Sequence, residues 1–160
     1  LVVRKLGLPG RPELAMGALA AAGGEVETVR TAAAERVDDA AFAAVRAEEL
    51  AELRRRERAY RPGPPVPLAG RAVLVVDDGL ATGATVRAAV AAVARQAPAS
   101  VTVAVPVGSP RACAEVAAVV DRVLCLHSPR SFRAVGQAYG DFSATPDDEV
   151  RAALARAGDA

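Results

Sequence analysis

Two adjacent carboxylates, Asp77 and Asp78, are followed at once by Gly79-Leu80-Ala81-Thr82-Gly83-Ala84-Thr85, a run of small residues carrying two hydroxyls. Glycine lets an anion approach the backbone closely, and a helix that starts behind such a loop offers unpaired N–H groups and a partial positive charge. The loop is therefore suited to a phosphate. At about 4 Å and an effective dielectric near 20, two unit charges interact by roughly 4 kcal/mol, so the carboxylates should meet hydroxyls or a cationic centre rather than the phosphate itself. A ribose 5-phosphate satisfies both demands, with its phosphate in the loop and its 2- and 3-hydroxyls on the carboxylates. A second pair of charged residues, Arg4 and Lys5, precedes the Gly/Pro-rich stretch Leu6-Gly7-Leu8-Pro9-Gly10-Arg11-Pro12. Two cations at a strand's carboxyl end could hold an anion such as pyrophosphate, while a solvated basic turn is the plainer reading.

The elements that must position these groups follow from local pattern. Residues 72–76 are apolar and largely β-branched, as in a strand buried on both faces of a parallel sheet, and residues 86–96 are alanine-rich and suit a helix. Residues 101–107 and 123–126 read as further strands. Between them Gly108-Ser109-Pro110 starts a helix, with Ser109 as N-cap and Pro110 in the first turn. Strands alternating with helices build a parallel sheet whose ligands lie at the strands' carboxyl ends. Upstream, Glu13 to Ala20 is ambiguous: its alanines favour helix, whereas Gly17 and the Gly23-Gly24 turn before Glu25-Val26-Glu27-Thr28-Val29 suggest a β-hairpin. Residues 37–61 are helical, with Phe42, Val45, Leu50, Leu53 and Tyr60 on one intermittent apolar face, within an insertion spanning 29–61. The proline-rich segment 62–70 is a stiff linker into the central strand. Thr145-Pro146-Asp147-Asp148 starts a last helix ending near Gly158.

The chain has 160 residues, 52% of them apolar but only 3% aromatic, which gives one α/β domain packed with small side chains. Twenty Lys and Arg balance nineteen Asp and Glu, so charge argues for neither nucleic acid nor a membrane surface. Cys113 and Cys125 make neither a disulfide framework nor a zinc site and read as buried reduced thiols. No long apolar run or signal peptide is present, so a cytoplasmic enzyme is expected. His127 falls at the sheet rim without a nucleophile partner, which fits a structural role. Most of the few aromatics gather in residues 128–142, where Phe132, Tyr139 and Phe142 fit either a platform for a flat base or a plug of the core.

Val75-Val76-Asp77-Asp78-Gly79-Leu80-Ala81-Thr82-Gly83-Ala84-Thr85 resembles the motif with which type I phosphoribosyltransferases bind phosphoribosyl pyrophosphate (PRPP). It has neither the lysine of a Walker A loop nor the spacing of a GxGxxG fingerprint. Residues 2–18 and 128–142 resemble the matching regions of uncharacterised bacterial members. The resemblance implies a mostly parallel sheet flanked by helices, favours the β-hairpin upstream, and allows the helical insertion to form part of a hood over the base site, while the charge run Arg54 to Arg58 in it reads more plainly as a solvated face. It implies transfer of ribose 5-phosphate from PRPP to a nitrogenous base, in nucleotide salvage, with release of pyrophosphate. Asp77 and Asp78 would act on the ribose, residues 79–85 would bind the 5-phosphate, and Arg4 and Lys5 would flank the pyrophosphate, with a cis peptide nearby. Magnesium would bridge pyrophosphate and ribose oxygens with few direct protein ligands, and a homodimer is among the assemblies allowed.

Two departures from the family pattern stand out. Ala81 occupies a position where several purine enzymes carry a carboxylate, which weakens a hypoxanthine/guanine assignment. The strand and Arg-Gly-Gly-type loop that relatives carry ahead of the first strand here are not in the sequence. That strand lies in the middle of the sheet, so a gap and low stability are expected. A PRPP-binding regulatory protein without turnover is the alternative reading.

Overall fold

The computed structural model describes residues 2–158 apart from Gly23, Arg61, Pro62 and Pro65. Leu1 and part of the expected linker therefore lie outside the described residues. Three strands, β1 (Val2–Leu8), β2 (Arg11–Ala22) and β3 (Glu25–Arg30), form an antiparallel meander. A 3-10 turn (Ala32–Arg36) leads into helix α1 (Asp39–Tyr60). Then β4 (Ala72–Val76), β5 (Ser100–Val107) and β6 (Arg122–His127) form a parallel sheet in that order, connected by α2 (Ala84–Ala94) and α3 (Pro110–Ala117). Helix α4 (Asp147–Gly158) closes the described chain.

Helix α2 joins the two sheets. Ala18, Ala20 and Ala22 alternate along β2 and meet Ala88 and Ala92, which stand one turn apart on α2. Side chains this small let helix and strand approach closely, which explains why the chain is rich in alanine there. A neighbouring stripe of α2, Val86, Ala89, Val90 and Val93, packs on Val75, Val101, Val103 and Val105 of the parallel sheet. The far face of the antiparallel sheet is covered by α1, whose Phe42 and Leu53 bury against Leu6, Met16 and Leu19. Phe42, Val45, Leu50 and Leu53 of the expected α1 stripe meet this core, whereas the Tyr60 hydroxyl donates to Asp147 of α4 at 2.6 Å; β3 extends to Arg30, and the helical insertion begins only after it.

Three expectations change. Residues 4–8 continue β1, paired with β2, and only Pro9-Gly10 turns, with Gly10 at φ 73°. Arg4 and Lys5 are thus strand residues rather than part of a Gly/Pro loop, and all peptide bonds among the described residues are trans. The single sheet becomes two three-stranded sheets, with the gap where it was expected: among the described residues no strand lies between β1 and β4. A cavity of about 480 Å³ occupies that place, lined by Val3, Ala22, Leu68, Val75, Asp77 and Thr85 among others. Finally, β4 is not covered on both faces: Leu74 and Val76 are 61% and 69% exposed. They continue onto Leu126 of β6, 85% exposed, because α2 and α3 cover only the opposite face. Parallel sheets are ordinarily covered on both faces, so this bare apolar face is a local weakness.

Candidate active site

The carboxylates stand where β4 ends. Paired with β5 on one side, β4 runs straight into Asp77, whose N–H still donates to the Ala104 carbonyl at 3.3 Å. The Asp77 Oδ1 accepts the Asp78 N–H at 3.0 Å, which turns the chain tightly between the two acids. Burial is the main force raising the pKa of both groups. At Asp77 the Asp78 N–H opposes it and the Asp78 charge adds to it; at Asp78 the Gly79 N–H opposes it. Carboxylates that are less comfortable when ionised gain more from a ligand that brings hydroxyl donors or positive charge.

The loop behind them is pinned to the end of β5. Leu80 N–H donates to the Val107 carbonyl at 2.9 Å and Ser109 N–H to the Leu80 carbonyl at 2.8 Å. Ser109 is the expected N-cap of α3, accepting the Ala112 N–H at 3.1 Å, and its hydroxyl also donates to the Ala81 carbonyl at 3.0 Å. Its cap role was readable from the Ser-Pro pair, but its second bond is not. Gly83 takes a left-handed conformation, φ 70°, as N-cap of α2, where glycine is the unstrained choice. Thr82 Oγ1 accepts the Ala84 N–H at 3.4 Å, and Thr85 lines the same cavity as Asp77. The opening of α2 is therefore a glycine-led turn with a hydroxyl on either side of it, beside two carboxylates. Such a turn can receive an anion.

The segment after β6 closes over this turn. A β-carbon added to Gly79 would lie 2.7 Å from Val135 Cγ1 and 2.9 Å from the Val107 carbonyl oxygen. Glycine at this position is what allows Val135 and β5 to grip the acidic turn from both sides. The Tyr139 hydroxyl donates to the Asp78 carbonyl at 2.7 Å, and the Tyr139 and Phe142 rings meet at 5.1 Å. Phe132 sits nearer β6, in a turn closed by its N–H on the Pro129 carbonyl at 3.3 Å.

The other singled-out residues fall as follows. Arg4 is held by Glu49 of α1, with Nε and a terminal nitrogen at 2.7 and 2.6 Å from one carboxylate oxygen. Its neighbour Val3 lines the cavity that reaches Asp77. His127 lies exposed at the end of β6, its carbonyl accepting the Gly108 N–H at 3.0 Å. Cys113 and Cys125 are free and half-buried rather than buried. Burial and the neighbouring Cys125 thiol push Cys113 up to about 11, which keeps it a poor nucleophile. Among the described residues no group of three His, Cys, Asp or Glu could hold a metal ion, and no helix is long and apolar enough to cross a membrane.

A strand ending in two carboxylates, a glycine and hydroxyl loop and a helix start, repeated in no other part of the sequence, define the protein's class. Residues 64–141 match the phosphoribosyl transferase domain family. Over 98% of its length the chain is 45% identical to "Putative phosphoribosyl transferase MT0597" and to "Putative phosphoribosyl transferase Rv0571c", from Mycobacterium tuberculosis strains CDC 1551 / Oshkosh and H37Rv. It spans 36% of the length of each of these relatives. It also superposes on the crystal structure of TT1426 from Thermus thermophilus, with a TM-score of 0.72 and 40% identity, over 97% of this chain and 74% of that one. The chain belongs to the type I phosphoribosyltransferase family, with that family's mixed α/β architecture.

Proposed function

We propose that this domain transfers ribose 5-phosphate from PRPP to a nitrogenous base. The observation that carries the reading is the junction of Asp77 and Asp78 with the Gly83-led start of α2. The 5-phosphate would lie against the backbone N–H groups of residues 82–85 and the hydroxyls of Thr82 and Thr85. The ribose hydroxyls would donate to Asp77 and Asp78. As the bond from the anomeric carbon to pyrophosphate lengthens, its electron pair leaves with the pyrophosphate. A nitrogen lone pair of the base closes the new bond from the opposite face, with inversion. Positive charge grows on the ribose ring meanwhile, and two ionised carboxylates held in place before the reaction stabilise it.

Magnesium, carried in with the pyrophosphate, would offset phosphate charge. Asp77 and Asp78 suit it only as a carboxylate pair reached through water or ribose oxygens, since no third acid joins them among the described residues. Arg4, on the α1 face of β1, would have to leave Glu49 and swing round to reach pyrophosphate, whereas Lys5 stands on the same face of β1 as Val3, which lines the cavity. Ala81 offers no proton acceptor for the N–H of the base, so that proton would leave to the departing pyrophosphate or to water, and the acceptor's own acidity matters more than in enzymes with a carboxylate there.

The test is PRPP- and magnesium-dependent pyrophosphate release against a panel of purine, pyrimidine and other nitrogenous acceptors, on the full natural protein. Release with one acceptor, lost in both Asp77→Asn and Asp78→Asn, supports the assignment. Undiminished turnover in both variants overturns it. A second reading, PRPP binding without transfer, is favoured by one observation: at Ala81 the loop carries no carboxylate to take the acceptor's proton. Tight PRPP binding with no release from folded protein would select it.

A further inference from the structure

Tyr139, in the segment that follows β6, reaches the acidic turn with a polar side chain. It is separated from Asp78 by sixty-one positions, yet its hydroxyl donates to the Asp78 carbonyl at 2.7 Å. The peptide it holds is the one linking Asp78 to Gly79. On the other flank of that peptide, Gly79 is packed against Val135 and the end of β5. The following residue, Leu80, is bonded to Val107. The peptide that sets the direction of the Asp78 side chain is thus fixed at three points, and two of them come from residues 135–139. The ring of Tyr139 meanwhile rests on Phe142, and a β-carbon on Gly136 would strike Phe142 at 2.8 Å. The 135–142 segment is therefore one packed unit, and displacement of Phe142 would be passed to the Asp78 peptide through Tyr139.

We propose that Tyr139 is a positioning residue for Asp78, and that it ties the aromatic segment after β6 to the carboxylates at the end of β4. Its hydroxyl acts on the backbone of the turn; the reading of Tyr139 solely as a stacking surface leaves that hydrogen bond without a role. The consequence for transfer rests on the function proposed above, whereas the mechanical link does not. Occupation of the aromatic segment by a flat acceptor would bear on the turn that holds the ribose, so acceptor and donor sites would be energetically linked.

The deciding variant is Tyr139→Phe, which keeps the ring on Phe142 and removes only the hydroxyl. Amide hydrogen exchange, read by NMR in the full natural protein, should speed up at Gly79 and Leu80 by about 3- to 10-fold, the range that loss of one partly exposed hydrogen bond gives. Amides of β5 and α2 should be unchanged. Turnover should fall by a similar factor, with the acceptor KM within about twofold of the parent and the melting temperature lowered by no more than about 1–6 °C, the share of one hydrogen bond. A purely structural role would lower the melting temperature with turnover of the folded protein intact, and a purely acceptor-binding role would raise the acceptor KM with kcat intact; either result overturns the proposal. So does unchanged exchange at Gly79 and Leu80. The exchange measurement needs no substrate, so failure of the transferase reading leaves this link still tested.

Discussion

Gly79→Ala probes how tightly the acidic turn is gripped. The added methyl group would lie 2.7 and 2.8 Å from the two γ-carbons of Val135 and 2.9 Å from the Val107 carbonyl oxygen. Two of those neighbours belong to a side chain that can rotate or shift, and the third is backbone of the central strand. Overpacking of this kind costs about 1–3 kcal/mol. For a chain of this size each kcal/mol moves the melting temperature by roughly 2–4 °C, so a fall of about 2–12 °C is expected. Val135→Ala alone removes two buried methyl groups, worth about 1.6 kcal/mol by transfer. In the Gly79→Ala background the same truncation opens the space that the new methyl needs, so its cost should shrink or change sign. A double-mutant cycle by urea denaturation should give a coupling of at least about 1 kcal/mol. Rescue will be partial, since Val107 does not move with Val135. A Gly79→Ala variant as stable as the parent, or a coupling below about 0.5 kcal/mol, would show that the turn is not held as described.

The remaining predictions concern charge and exposed surface. Burial raises the pKa of Asp77 above its unfolded value, so the folded state holds that proton more tightly; stability from this group is greatest below the ordinary carboxylate range and is lost as pH rises through the folded value. Asp77→Asn should therefore raise the melting temperature of the ligand-free protein at pH 7 but not near pH 3, while abolishing turnover; a lower melting temperature at pH 7 contradicts this. Glu49→Gln, by releasing Arg4, should tighten inhibition by pyrophosphate about 2- to 5-fold; unchanged inhibition would remove Arg4 from the pyrophosphate site. The bare face of β4 and the cavity beside it predict that the 160-residue chain melts below about 45 °C, under the usual range for such domains. A cooperative transition well above that temperature would refute the weakness assigned to this face.

What the sequence carried legibly was short-range. The strand before Asp77, the loop of small residues and hydroxyls, and the Ser109-Pro110 start of α3 each span a dozen residues or fewer, and backbone preference alone places them. Continuation of β1 through Arg4 and Lys5 was harder to read, because a Gly/Pro-rich stretch hides how small its turn is: Pro9 and Gly10 suffice when Gly10 supplies the positive φ. An apolar run such as Ala72–Val76 announces a strand but not what covers it, so its open face could not be inferred from those residues. The pairing of Arg4 with Glu49, the grip of Val135 on Gly79 and the bond from Tyr139 to Asp78 join positions 45 to 61 apart. No local pattern encodes them. They arise only when α1 and the segment after β6 fold back over the sheets.

These long-range contacts decide how the site works. The surrounding protein disfavours both carboxylates as ions, and although Asp78 already meets water, an unconstrained chain would turn the half-buried Asp77 out to join it. Relief is blocked on each flank. On one side Leu80 and Ser109 lock the loop to β5; on the other, Val135 and Tyr139 hold the Asp78–Gly79 peptide. The loop glycines serve different ends, Gly79 for close approach and Gly83 for its left-handed turn, and together they let α2 begin where the acids stop. The domain thus keeps two anionic groups in an environment that favours neutralising them, beside a helix start that favours anions. A ligand carrying a phosphate at one end and hydroxyls with developing positive charge at the other relieves both conditions at once. The nearer that charge comes to full development, the greater the relief, which is the requirement for accelerating a reaction rather than merely binding its substrate.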